Sequence, residues 1–161
     1  MAQAGFETGD ESAFADKGNS RGQAMNLFAD SSALAKRYIA DEKSEQVDAL
    51  LYDATSLTVS VLCLPEIISA LCRRRRERSL TLKQYSTAKE ALEADLVDAT
   101  VIQMTDEVIL KSVDILEKSP LRSSDAIQIA SALEWRADIF VSADARQCAA
   151  AKAAGLSIVQ L

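Results

Sequence analysis

The stretch MNLFADSSALA, residues 25–35, decides the fold of this chain. Asn26 to Ala29 read as a short buried strand, a single carboxylate follows at Asp30, and Ser31 opens a segment of helical character. Strand, acid and helix in immediate succession open a βα unit, and in open α/β sheets ligands bind beyond the carboxyl ends of the strands. Asp30 therefore either caps the following helix, as Asp and Ser often do, or belongs to a ligand site.

The same alternation continues outward from this stretch. Further strands are expected at Leu57 to Ser60, Thr100 to Gln103, Ile139 to Val141 and Ser157 to Gln160, each apolar or β-branched enough to be buried. Helices are expected near 31–39, 44–52, 63–78, 81–97, 106–117, 123–134 and 145–154. Pro65 suits a first helical turn, Pro120 breaks the chain between two helices, and Gly155 stands where a helix ends before the last strand. Short apolar runs alternating with helices imply the α/β class, with a central parallel sheet of about five strands flanked by helices. Within 81–97, Leu82, Tyr85, Ala88 or Lys89, and Leu92 form one stripe of ordinary core packing. Residues 1–24, rich in Gly, Ser and acids and without periodicity, read as a disordered leader or a tag, and 25–161 as a single domain.

Composition removes several chemistries. The 161 residues contain no histidine, so histidine general bases, Ser-His-Asp triads and imidazole zinc sites are excluded. Cys63, Cys72 and Cys148 are odd in number and unpaired in spacing, and read as reduced thiols of a cytoplasmic protein. No apolar run reaches the roughly 18 residues a membrane span needs. The formal net charge of -6 opposes broad adhesion to nucleic acid, although Arg73, Arg74, Arg75, Arg76 and Arg78 cluster in RRRRER. Four consecutive arginines point around a whole helix, so not all of them can face one ligand. Lys36 and Arg37 lie one to two turns past Asp30 and either border a groove or are solvated. Trp135, Tyr38, Tyr52 and Tyr85 are assigned to core or interface packing.

Hydrolytic chemistry, if present, must then rest on carboxylates. Glu66 is the only acid in SVLCLPEIISALC, residues 60–72, where an unpartnered carboxylate would protonate, pair with Arg or bind a cation; the competing account is an acid favoured by the helix dipole. Asp125 lies in LRSSDAIQIASAL, residues 121–133, where Ser123 or Ser124 could cap the helix and the acid sits in its first turn. Asp144, in IFVSADARQCA, residues 139–149, follows a strand as Asp30 does, and capping is equally open to it. Each of the four lies just after a strand or in the first turns of the next helix, and in a parallel sheet those ends share one edge. Four acids together would repel one another unless they bound a divalent cation, and hard oxygen ligands select Mg²⁺ or Mn²⁺.

The words FADSSALAKRY, LPEIISAL, LRSSDAIQIASAL and FVSADARQCAAAKAAGLSIV, in this order from Phe28 to Val159, resemble the PIN-domain family, and within it the VapC-type toxins of toxin-antitoxin pairs. The resemblance implies a three-layer PIN-like sandwich over 25–161 and an Mg²⁺-dependent endoribonuclease, with Mn²⁺ able to substitute. It places Asp30, Glu66, Asp125 and Asp144 on the family's acidic quartet, as catalytic and metal-binding residues, and Ser142 on the Ser or Thr that often precedes the last acid by two. It further implies an RNA substrate, an antitoxin protein partner, a homodimer and a cytoplasmic location. Two alternatives stay open: a phosphatase-like α/β hydrolase with Asp30 as nucleophile, and a catalytically silent PIN-fold RNA-binding module. For the first, dehalogenase-like enzymes want a second Asp two residues on, where this chain has Ser32.

Overall fold

The computed structural model describes residues 24–161. The expected leader, 1–24, lies outside them apart from Ala24. In chain order the elements are β1 (Asn26–Ala29), α1 (Ser31–Tyr38), α2 (Ser44–Asp53), β2 (Ser56–Ser60), α3 (Cys63–Arg76), α4 (Leu82–Asp98), β3 (Thr100–Ile102), α5 (Asp106–Lys118), α6 (Ser123–Glu134), β4 (Ile139–Ser142), α7 (Ala145–Ala153) and β5 (Ile158–Gln160).

All five strands are parallel, in the order β3-β2-β1-β4-β5. The chain moves outward from β1 through β2 to β3, then crosses to the other side of β1 and continues through β4 to β5. Strand order therefore reverses between β1 and β4, and a crevice opens beyond the carboxyl ends of these two strands. They are joined in register, Phe28 beside Phe140 and Ala29 beside Val141.

Side chains alternate across β1, so the short strand feeds two cores. Leu27 and Ala29 pack with Val59, Val141 and the buried faces of α1, α3 and α4. Phe28 points the other way and joins Phe140 and residues of α5, α6 and α7; the two rings stack with centroids 5.7 Å apart. The result is three layers, helices on both faces of a parallel sheet.

Local signals account for most helix ends. Thr81 and Gln84 form a reciprocal capping box at α4, and Thr105 caps α5. Gly155, at φ +100°, closes α7: its N–H bonds to Lys152 and that of Leu156 to Ala151, the paired pattern of a left-handed helix stop. Helices α3 and α6 end in the same pattern with arginines at the left-handed position, Arg78 at φ 60° and Arg136 at φ 54°. One packing expectation fails: Leu82, the first residue of α4, is 64% exposed, because the stripe is buried only from Tyr85 onward. Tyr52, near the end of α2, is 90% exposed and so lies outside the core. Cys63 and Cys148 are buried, and all three cysteines are free.

Candidate active site

The crevice is a cleft of about 610 Å³ whose walls carry Asp30, Glu66, Asp125 and Asp144. Asp30 directly follows β1, only 3% exposed, with its N–H bonded to the Val141 carbonyl of β4. Its Oδ2 accepts from the Ser32 N–H at 3.1 Å and from the Ser32 hydroxyl, so it caps α1. Asp144 stands two residues past β4 and caps α7, its Oδ1 accepting from the N–H groups of Arg146 at 2.8 Å and Gln147 at 3.2 Å. Capping and membership of the site are thus compatible: the same strand-end position supplies both.

Asp125 is the third residue of α6. Neither Ser123 nor Ser124 caps that helix; Arg122 holds the cap position without a side-chain cap bond and instead grips Asp125, Nε to Oδ2 at 3.0 Å and a terminal nitrogen to Oδ1 at 3.2 Å. Glu66, in the first turn of α3 after Pro65, is half-buried. Its partners are neutral donors and not an arginine: Ser31 Oγ donates to Oε2 at 2.5 Å and Gln128 Nε2 to the same oxygen at 2.7 Å.

Uncharged donors form the floor beneath these acids. Gln128 also donates to Ser31 Oγ at 2.6 Å. Gln147 Nε2 lies 3.3 Å from both Asp30 Oδ1 and the Asp125 carbonyl. Ser142, the last residue of β4 and fully buried, reaches Asp30 Oδ2 at 3.1 Å and Gln147 Oε1 at 2.7 Å and accepts the Asp144 N–H at 3.0 Å. Of this floor only Ser142 was foreseen from the sequence. Ser31, Ser32, Gln128, Gln147 and the gripping Arg122 were not, although a signal exists: an amide follows Asp125 and Asp144 by three residues on an otherwise apolar helix face. Both glutamines are 1% exposed. The Gln128 carbonyl oxygen is buried without a partner among the described residues, which costs about 1–3 kcal/mol. Turning the amide over would set that oxygen against Glu66, so the acid fixes its orientation.

Charge is distributed unevenly. Burial pushes the Asp30 carboxyl above its usual range, against the hydrogen bonds from Ser32, Ser142 and Gln147. Burial acts on Asp144 in the same direction but is outweighed by the N–H groups of Gln147 and Arg146 and by the Arg146 and Arg122 charges, which leave it below the usual range. The Cys63 thiol is pushed up to about 12, chiefly by burial, and stays protonated. At the cleft wall Lys36, paired with Asp41 at 3.0 Å, and Arg73 and Arg74 bring positive charge. Arg75 leaves the cleft to lie over the Tyr85 ring, and Arg37 turns to Asp95 and Asp48.

The donor set suits a hard divalent cation: four carboxylates, several hydroxyls, no imidazole and no thiolate. The hydrogen bonds on Glu66 fall on one oxygen and leave the other for a ligand, and the cap bonds on Asp144 fall on Oδ1, while its Oδ2 faces Arg146 at 3.7 Å. Among the described residues the acids line the cleft rather than closing on one point: no three Cys, Asp or Glu side chains are drawn together into a ready cage. The residues fit such an ion in kind, in an open arrangement.

The sequence matches the PIN domain family over residues 27–153. No curated protein matches it. Solved structures with the same fold include VapC20 of Mycobacterium tuberculosis, described as a sarcin-ricin loop cleaving toxin (18% identity, TM-score 0.63, covering 84% of this chain and 99% of that one). Others are a toxin-antitoxin complex from Klebsiella pneumoniae (16%, 0.60, 83% and 96%) and PAE2754 from Pyrobaculum aerophilum (21%, 0.60, 84% and 84%). With the strand order, the two-sided helical cover and a family match spanning most of the chain, this protein belongs to the PIN-domain family.

Proposed function

We propose that the protein is a metal-dependent endoribonuclease, the toxin of a type II toxin-antitoxin pair. The observation that carries this reading is the convergence of acids from four separate segments on one cleft, with Arg73, Arg74 and Lys36 on its wall. Asp30, Asp125, Asp144 and Glu66 would hold the cation, Mg²⁺ or Mn²⁺, whose chemistry in such a site is polarisation of a phosphate and acidification of a water. Asp30, held on both oxygens by neutral donors, keeps its carboxylate at a fixed place on the cleft floor. Glu66, oriented by Ser31 and Gln128 on one oxygen, is placed to take a proton from the attacking water with the other. Arg73 and Arg74, two turns beyond Glu66 on α3, grip phosphates of the strand and align it. Ser142 fixes Asp30 and Asp144 relative to each other.

The alternative of Asp30 as a phosphatase nucleophile has less support, since Ser32 stands where dehalogenase-like enzymes want a second Asp. A silent RNA-binding module would have no use for a buried carboxylate whose ionisation burial opposes. An antitoxin partner and RNA as substrate are supported by the toxin-antitoxin complex and the sarcin-ricin loop cleaving toxin that share the fold. A homodimer accords with α5, which leaves Ile109, Leu110 and Val113 exposed. No described helix is long and apolar enough to cross a membrane, and an RNA target accords with a cytoplasmic location. The test is cleavage of total RNA with Mg²⁺ or Mn²⁺, mapped to nucleotide resolution, beside Asp30→Asn and Asp125→Asn. Metal-dependent cuts at defined positions that vanish in both variants support the assignment; equal cleavage by the variants overturns it.

A further inference from the structure

We propose that Arg122 is the resident counter-ion of the cleft: its guanidinium holds the face of Asp125 that a divalent cation needs, and the two exchange. The inference rests on the reading of the four acids as a cation site. Three observations lead to it. First, both oxygens of Asp125 are taken by the one guanidinium, at 3.0 and 3.2 Å, so a cation approaching either oxygen meets the positive charge of Arg122 and must compete with it. The other acids differ: Asp30 and Glu66 are held by neutral donors, and Arg146 stands 3.7 Å from Asp144.

Second, the pair is asymmetric. The Arg122 side chain is 74% exposed and that of Asp125 only 12%. Asp125 is fixed within α6, whereas Arg122 can swing into solvent with little loss of packing. Third, the local fold does not account for an arginine there. Arg122 occupies the cap position of α6 but makes no side-chain cap bond, and a cation at the positive end of a helix is opposed by the dipole. Ser or Asp would serve the helix better. What holds the guanidinium is Asp125 first, through hydrogen bonds and charge, with Asp144 and Glu66 adding attraction across the cleft.

The exchange gives Asp125 a counter-charge before metal arrives, and it raises the cation concentration needed to fill the site. It is tested by titrating the full chain with Mn²⁺ alone, without RNA, following heat and the electron paramagnetic resonance of free Mn²⁺, for wild type, Arg122→Gln, Arg122→Lys and Arg122→Ser. The expected result is Mn²⁺ binding about fivefold tighter in Arg122→Gln, the factor an ion pair with one exposed partner supports. Arg122→Lys, which keeps the charge but loses the two-point grip, should fall between wild type and Arg122→Gln. Arg122→Ser restores a capping hydroxyl, so it should match Arg122→Gln in affinity without a lower melting temperature. Mn²⁺ binding in wild type with equal or weaker binding in Arg122→Gln and Arg122→Ser overturns the exchange and leaves the nuclease reading standing. Absence of Mn²⁺ binding in all four overturns both.

Discussion

Asp30 and Asp144 hold equivalent places in the fold and experience opposite electrostatics. Each stands beyond the carboxyl end of one of the two strands flanking the switch point, and each caps the helix that follows. Yet burial raises the Asp30 pKa, while N–H donors and two arginines bring that of Asp144 below the usual range. The difference lies in what surrounds the cap. Asp30 is sealed among hydroxyls and amides without a cationic partner, and Asp144 is open to water and guanidinium groups. Capping explains Asp144 well enough as a structural residue. It does not explain Asp30, whose charge the fold must hold at a cost, and a residue kept against stability points to function.

That contrast can be broken most sharply at Asp30. Asp30→Asn should lower metal-dependent RNA cleavage by about 10²-fold or more, on the scale of a lost acid-base or metal-shell group. It should do so without lowering the melting temperature at pH 7. The sign follows from linkage: a carboxyl with a raised folded pKa binds its proton more tightly when folded, so wild type loses stability as pH rises from the unfolded value through the folded one. The melting temperature of Asp30→Asn relative to wild type should therefore climb over that window, as read by thermal unfolding from pH 3 to 8. A loss of stability that grows with pH would contradict the assignment.

The uncharged floor gives the next largest effect. Gln128→Leu removes the amide that orients Glu66, together with its own unpartnered carbonyl oxygen. Cleavage should fall about 10- to 100-fold, as for other groups that orient a ligand. Urea unfolding should show no comparable loss of stability. Gln147→Leu, which releases Asp30 Oδ1 and the Ser142 hydroxyl, should lower cleavage similarly but destabilise as well, because it leaves Ser142 with fewer partners.

Asp144 supplies the mirror image of Asp30. Asp144→Asn keeps a capping oxygen but loses the charge at the start of α7, a destabilisation of about 0.5–1 kcal/mol at pH 7. A depressed folded pKa contributes stability above the unfolded value that is lost as pH falls through the folded one, so the gap between variant and wild type should close on acidification below pH 4. An effect of similar size and opposite sign lies at two helix ends. Arg78→Gly and Arg136→Gly relieve left-handed backbone at the ends of α3 and α6 and should each stabilise by about 0.5–1 kcal/mol in urea unfolding. Cleavage should be unchanged in Arg136→Gly, which is remote from the cleft lining.

How much of this was legible in the sequence depends on the range of the interaction. The strands and helices were readable because their signals are local: buried runs, Pro65 in a first turn, Gly155 at a left-handed stop. That the four acids line one cleft was readable because each lies beside a strand end or in the first turns of the next helix, and strand ends of a parallel sheet meet at one edge. Local reasoning failed at Ser123 and Ser124, where a good cap was available but the helix begins one residue earlier, with Arg122 drawn to Asp125. The glutamine floor was hidden for a different reason: Gln128 and Gln147 acquire meaning only when α6 and α7 are brought against Ser31 and Asp30, over separations of 97 and 117 residues. Leu82 obeys helical periodicity without being covered, since coverage is decided by which elements lie opposite.

The most direct test of the central claim is anomalous scattering from crystals of the protein grown with Mn²⁺. A peak is expected in the cleft between β1 and β4, coordinated by oxygens of at least two of Asp30, Glu66, Asp125 and Asp144 and absent in Asp30→Asn. Mn²⁺ bound elsewhere on the surface, with the four acids still held as they are now and Arg122 still on Asp125, would contradict it.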